Sequence, residues 1–486
     1  MMEVTHPGYE AVIGLEVHAQ LRTATKLFCG DETAFGAEPN TQISPITLGH
    51  PGTLPMMNKA AVEHAIRLGL VCHSEIQLHN YFARKNYFYP DLPKGYQISQ
   101  HTTPICQGGY VEIQADHRPK KIRLIRIHLE EDAGKSLHDQ DPEKTCLDFN
   151  RAGTPLVEIV SEPDIRSAEE AFVFLTEIRK LVRWIGVCDG NMEEGSLRCD
   201  ANISVRLKGD QKLGTRVEVK NLNSIRNVRK AIEVELARLI ELHETGQTIQ
   251  QETRSFDADH DRTFTIRVKE DADDYRYFPD PDLTPFQFTR ERVEEIRSSL
   301  PTLPETLKAD WISRYGLHEN EAAKLVSDKD LAHYFEASLS TGAEARTLAN
   351  FLTGSLMSKL HESGRGWSTA AIGPDSWKAL TGLVLDGRIS FSAAASRLLP
   401  RMMEQPMEDP LVIATSLDLL QDAGDEEIHK WVEEALARMP EKVLEYQKGK
   451  KGLIGLFMGE VKRLSRGKAD PHLVSELLKE VLQKKQ

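Results

Sequence analysis

The run Lys121–Glu130, KIRLIRIHLE, decides the fold of the first half of the chain. Side chains alternate faces along a strand, with same-face neighbours roughly 6.6 Å apart, so Arg126, His128 and Glu130 share one side and Ile125, Ile127 and Leu129 the other. The same alternation recurs in EAVIGLEVHAQL (10–21), PLVEIV (155–160), LRCDANISVRL (197–207) and TRVEVKNL (215–222), each bounded by Gly, Pro or Asp. Helical spacing interrupts them twice. Ser167 and Glu170 form a capping-box pair ahead of Phe172, Leu175, Ile178, Val182 and Ile185, and Val228, Ile232, Leu236 and Leu239 form one stripe of a helix over about 224–243. These patterns predict an α+β fold, with a mostly antiparallel sheet and flanking helices over 1–290. Beyond Phe288 the strands give way to Leu-, Ala- and Glu-rich helical segments, which divide near Pro400–Pro410 into a helical domain, 291–405, and a small helical tail, 406–486.

The segment that follows the opening strand reads EDAGKSLH, and its Gly134-Lys135-Ser136 is the end of a phosphate-binding loop. Such a loop also needs a glycine five residues earlier, where Leu129 stands, so the backbone cradle is excluded. The acids therefore need another explanation. Parity along the strands groups Glu16 with His18, Arg198 with Asp200, Asn202 and Ser204, and Arg216 with Glu218 and Lys220. A solvated face of an antiparallel sheet would look similar. The histidines argue for a chelate instead, and carboxylates with one imidazole suit Mg²⁺ or Mn²⁺ serving a phosphate substrate. Lys85, Lys94, Lys135, Arg198 and Lys220 are then candidate phosphate partners.

Composition narrows the class. A net charge of −13 argues against a protein that coats nucleic acid generically, yet residues 441–486 carry eleven Lys and Arg against six Asp and Glu, a basic handle suited to RNA. Neither a cleavable leader nor a run of about twenty apolar residues is evident, so a cytoplasmic protein without a membrane span is expected. The six cysteines show no Cys-x-x-Cys pair and read as reduced thiols.

The motifs VIGLEVHAQL, RKNYFYPDLPKGYQIS, HLEEDAGKS, NRAGTPLVEIVSEPD, MEEGSLRCDANIS, VEVKNLNS and DDYRYFPDPDL together resemble the B subunits of bacterial aspartyl/glutamyl-tRNA amidotransferases, and the helical remainder resembles the same family's tail. The resemblance implies a cradle domain, a helical domain and a tail that contacts tRNA. It implies ATP-dependent phosphorylation of the side-chain carboxylate of Glu-tRNA(Gln) or Asp-tRNA(Asn), followed by amidation with ammonia. ATP and Mg²⁺ are the implied cofactors. The implied partners are the amidotransferase's A subunit, an amidase (glutaminase) that makes the ammonia from glutamine, its small C subunit, and the aminoacyl-tRNA. The alternative is a non-catalytic tRNA-binding scaffold whose acidic face is merely solvated.

Carried over position by position, the resemblance places Glu16, His18, Glu131, Asp200 and Glu218 in a metal cluster. It gives Glu131, His18 and Lys85 catalytic roles, Lys85 and Lys94 places along an ammonia path, and Arg276 and Tyr277 contacts to the acceptor end. Parity and resemblance disagree on one residue, because parity sets Glu130 beside His128 and turns Glu131 away. A bulge at EEDAG would reconcile them. The family's zinc motif is reduced here to Cys29, with Asp31, Ser44 and Thr47 in place of its other cysteines, so no zinc is expected.

Overall fold

The computed structural model describes residues 8–116, 118–138, 140–268, 275–369, 372–421, 425–465, 468–469 and 471–484. They fall into two compact units, Met1–Pro301 and Thr302–Gln486. The first is built on strands β1 (Tyr9–Gln20), β2 (Ala83–Asn86), β3 (Tyr96–Ser99), β4 (Arg118–Glu131), β5 (Pro155–Ser161), β6 (Leu197–Leu207), β7 (Val217–Leu222), β8 (Glu252–Asp257) and β9 (Arg262–Val268). Its main helices are α1 (Lys59–Val71), α2 (Ala168–Trp184), α3 (Ile225–Glu244) and α4 (Arg290–Ser298).

The large sheet runs β9-β8-β7-β6-β1-β5-β4 and ends in two short strands, Cys106–Gln107 and Glu75–Ile76. Among the described residues only β7 and β8 pair in parallel. β1 is central, and its register sets Glu16 opposite Asp200 on one side and Val160 on the other, with His18 opposite Arg198 and Glu158. The odd positions Ile13, Leu15 and Val17 are buried on the far face with Ala201, Ile203, Val157 and Ile159, beneath α2 and α3. Helix α2 starts where its sequence predicts, Ser167 Oγ accepting from the Glu170 amide at 3.1 Å, and it buries Phe174, Leu175, Ile178 and Val182. Each such side chain contributes about 1.5–3 kcal/mol through removal from water, and truncating Ile178 to Ala would cost about 2–5 kcal/mol.

The β4–β5 ladder continues in regular register to Glu131 opposite Pro155, and its single shift lies at Val160/Ser161. The bulge expected at EEDAG is therefore absent. Pairing with Pro155 holds the backbone extended, so the pleat sends Glu130 and Glu131 to opposite faces.

Helix α4 packs on α1, with Arg292 bonded to Glu63, which carries the first unit eleven residues past the boundary expected at 290. The second unit is helical. One part packs around Trp311, Phe335, Phe351 and Trp377, and another forms its own core from Ile428 to Leu482, including Tyr446, Phe457 and Val461. No helix among the described residues is long and apolar enough to cross a membrane.

Candidate active-site groove

The polar face of the sheet floors a groove of about 1170 Å³. It is no ordinary wet face: His128 and Glu130 are only 2% and 4% exposed. Burying charged groups this deeply is unfavourable unless they pair or hold a cation, which makes the face a site rather than a solubilising surface.

Two groups of ligand-type atoms stand side by side. His18, Glu130 and Glu158 form one, Glu16, Asp200 and Glu218 the other, and within each group one ligand atom per residue lies within 4.8 Å of the others. β1 contributes to both, because Glu16 and His18 are two residues apart and share its groove face. The donors are carboxylates with a single imidazole, which fit a hard divalent ion such as Mg²⁺ better than zinc.

Each group is supported from behind. Beside the first, the His128 Nε2 lies 3.3 Å from Glu158 and 3.5 Å from Glu130. Burial opposes charge on this imidazole, but Glu158 and Glu130 outweigh it and push it up to about 9. Burial alone would likewise raise Glu158, and His128 with His18 holds it well below the usual carboxylate range instead. In the second group Asn202 donates to Glu16 at 2.9 Å, Thr253 donates to Glu218 at 2.9 Å, and Lys220 bridges Asp200 at 2.9 Å and Glu218 at 3.1 Å. Burial and the neighbouring Glu158 and Glu218 raise the Glu16 carboxyl, despite the Asn202 bond.

The structure brings most of the residues singled out in the sequence into this groove: Glu16, His18, Lys85, Glu130, Lys135, Arg198, Asp200, Glu218, Lys220 and Tyr277 line it. Lys85 Nζ sits over the rings of Tyr275 and Tyr87, at 4.7 and 5.6 Å, and Tyr277 stacks on His101 with 4.0 Å between centroids. Arg276 is at the same end in a left-handed conformation, its carbonyl accepting from Asn86 at 2.8 Å. Arg198 donates to buried Asp132 at 2.8 Å, which fixes the guanidinium at the groove wall.

Glu131 and Lys94 lie elsewhere. They line a second, smaller cavity of about 100 Å³ behind the end of β4, together with Lys26 and Ile98. Lys94 Nζ bonds both Glu131 carboxylate oxygens, one at 2.6 Å, while the Ile98 amide donates to Glu131 at 2.9 Å. Gly134 of the Gly-Lys-Ser donates its amide to Asp91 at 2.8 Å, and a Cβ there would meet the Asp91 and Asp148 carbonyls at 2.9 and 3.0 Å. This glycine serves close backbone packing.

Sequence reasoning missed Glu158, Asp132 and Thr253. Glu158 carried a usable signal: it is the lone acid in an apolar strand, and its parity opposes Val157 and Ile159. The ties to Asp132 and Thr253 come from loops and a parallel pairing that no local pattern announces.

Comparison with known proteins finds matches over nearly the whole chain. The model for the GatB/GatE catalytic domain matches residues 11–294, and that for the GatB domain matches 333–482. The chain is 47% identical over 478 residues to the B subunit of the aspartyl/glutamyl-tRNA(Asn/Gln) amidotransferase of Geotalea daltonii, covering 98% of this chain and 99% of the relative. It is 48% identical over 474 residues to the protein of that name from Geobacter sulfurreducens, covering 97% and 98%. The Persephonella marina relative is 47% identical over 98% of this chain and 99% of its own length.

Proposed function

Because the chain belongs to the family of aspartyl/glutamyl-tRNA amidotransferase B subunits, we propose that its groove performs the ATP-dependent half of tRNA-dependent amidation. Family membership makes it one component of a multi-subunit, tRNA-dependent, ATP-using ligase of translation. The observation that carries the finer reading is the pair of three-ligand groups on one face of the sheet, joined through Glu16 and His18, two residues apart on β1.

In this reading His18, Glu130 and Glu158 would hold one Mg²⁺ and Glu16, Asp200 and Glu218 a second, neutralising phosphate charge during in-line transfer. The side-chain carboxylate of the esterified Glu or Asp attacks the γ-phosphorus of ATP, and ADP leaves. Lys135, Arg198 and Lys220 provide cations on the walls for the transferred group. Ammonia then attacks the acyl carbon, inorganic phosphate departs with the bonding pair, and one proton must be lost.

The nucleophile has to be neutral NH₃. The small cavity behind β4 suits its delivery from a glutaminase partner, the A subunit, held in place with the small C subunit. Glu131, paired to Lys94 on that cavity, is placed to take the proton that ammonium gives up. Lys85, held over two tyrosine rings, presents a cation to the acyl phosphate from the groove side. Tyr277 and Arg276 receive the acceptor end, and the basic tail receives the body of the tRNA through Lys448, Lys451 and Lys462, which are exposed.

The test is transfer of the γ-phosphate from ATP to Glu-tRNA(Gln) or Asp-tRNA(Asn). Asp200→Asn and His18→Ala are expected to abolish transfer while leaving tRNA binding intact. Unchanged transfer would leave only the tRNA-binding scaffold.

A further inference from the structure

Lys220 carries an ammonium that bonds metal-type ligands of the groove directly. Its ammonium takes Asp200 Oδ2 at 2.9 Å and Glu218 Oε1 at 3.1 Å, two of the three carboxylates of the second group. Asn202 on Glu16 and Thr253 on Glu218, by contrast, are neutral donors that orient a carboxylate without balancing its charge. A Mg²⁺ ion sits about 2.1 Å from its oxygen ligands, so an ammonium sharing two of those oxygens would lie roughly 3–4 Å from the ion. Two cations so close in a partly buried site repel strongly, and one has to move.

Resting on the metal reading of this group given above, we propose that Lys220 competes with the divalent cation for Asp200 and Glu218, and that the held cation turns the ammonium into the groove, where it becomes a ligand for phosphate. The side chain has the freedom this needs. It is 40% exposed on the groove side, on a flexible four-carbon stem, and Glu218 of its own strand and Arg216, just before that strand, line the same groove. His128, which plays the neighbouring role in the first group, is buried in the floor and has no such exit. The two groups therefore differ in kind: one is backed by a fixed imidazole, the other by a removable ammonium. It follows that cation binding at the second group and formation of the phosphate subsite are one coupled event.

The test is Mn²⁺ binding to the full-length chain, followed by electron paramagnetic resonance of the free ion, with Lys220→Met, Lys220→Arg and Asp200→Asn variants and a thermal melt of each. Lys220→Met is expected to bind the Asp200-dependent Mn²⁺ about tenfold more tightly and, once loaded, to bind ATP about tenfold more weakly. Lys220→Arg, which keeps the charge, is expected to retain the weaker Mn²⁺ affinity and controls for any loss of fold in the Met variant. Equal or weaker Mn²⁺ binding by a folded Lys220→Met would overturn the competition while leaving the metal site standing. Absence of any Mn²⁺ that responds to Asp200→Asn, in the wild-type and Lys220→Met chains alike, would overturn the metal reading of the group and the competition with it.

Discussion

His18 and Glu158 face each other as direct partners across the β1–β5 ladder, the imidazole Nε2 3.7 Å from the carboxylate Oε2. Glu158 is the lone charged residue of its strand, half-buried, with His18 and His128 flanking it from both neighbouring strands. The pairing makes Glu158 as integral to the first ligand group as the histidine. Glu158→Gln keeps the shape and removes the charge, and should lower Mg²⁺-dependent γ-phosphate transfer by about 10–100-fold with tRNA affinity unchanged. Measured transfer within a factor of two of wild type would remove Glu158 from the site.

Glu130 and Glu131 should separate by step. Glu130→Gln is expected to suppress phosphate transfer. Glu131→Gln should preserve transfer and ATP hydrolysis but slow amide formation, because its carboxylate faces the small cavity. The pair of assays, ADP release and amidated tRNA, distinguishes them, and identical profiles for both variants would contradict the assignment.

Lys94→Met should destabilise the first unit. It would leave the Glu131 carboxylate, 3% exposed, without its cation, at a cost of about 3–5 kcal/mol. The double variant with Glu131→Gln should recover part of that loss in a urea titration, and strict additivity of the two losses would refute the coupling.

The outer strands of the sheet should be acid-sensitive through Glu252. Burial would raise this carboxyl, but bonds from Thr265, Arg254 and Arg238 lower it below its ordinary 4.5. Its folded value lies below its unfolded one, so its stabilisation is present above about pH 4.5 and disappears as pH falls through the folded value. Thr253, adjacent in β8, holds Glu218, so the same acid titration should loosen the second ligand group. Glu252→Gln should flatten the pH dependence of unfolding below pH 4.5, and an unchanged slope would show that other carboxylates dominate.

At the loop that carries Cys29, metal analysis of purified protein should find no stoichiometric zinc. The single thiol donates to Asp31 at 3.3 Å, Thr47 also bonds Asp31, and the ammonium of fully buried Lys26 lies 3.5 Å from Thr47. A cation already occupies this polar cluster. Zinc retained at one equivalent and lost on Cys29→Ser would refute the expectation.

Much of the fold was legible because the sheet is antiparallel and one-sided. Alternation identified β1, β4, β5, β6 and β7, and the Ser167–Glu170 pair marked the start of α2. Parity also sets Glu130 beside His128, and the regular register to Glu131 keeps it there, with no bulge to turn its neighbour inward. What escaped was set by pairings between distant strands. The division between the two ligand groups depends on which strands flank β1, and the small cavity depends on β3 crossing behind β4, neither of which leaves a local trace.

The central position of β1 has a consequence for how the protein is made. Glu16 and His18 are synthesised more than a hundred residues before Glu130, the first of their co-ligands, and about two hundred before Glu218. The first group cannot form until the strand carrying Glu158 has emerged, and the second not until β7 has emerged and paired, so β1 must wait with both edges open. Such long-range closure is slow, and substitutions in β1 should reduce the yield of folded protein more sharply than their effect on its final stability.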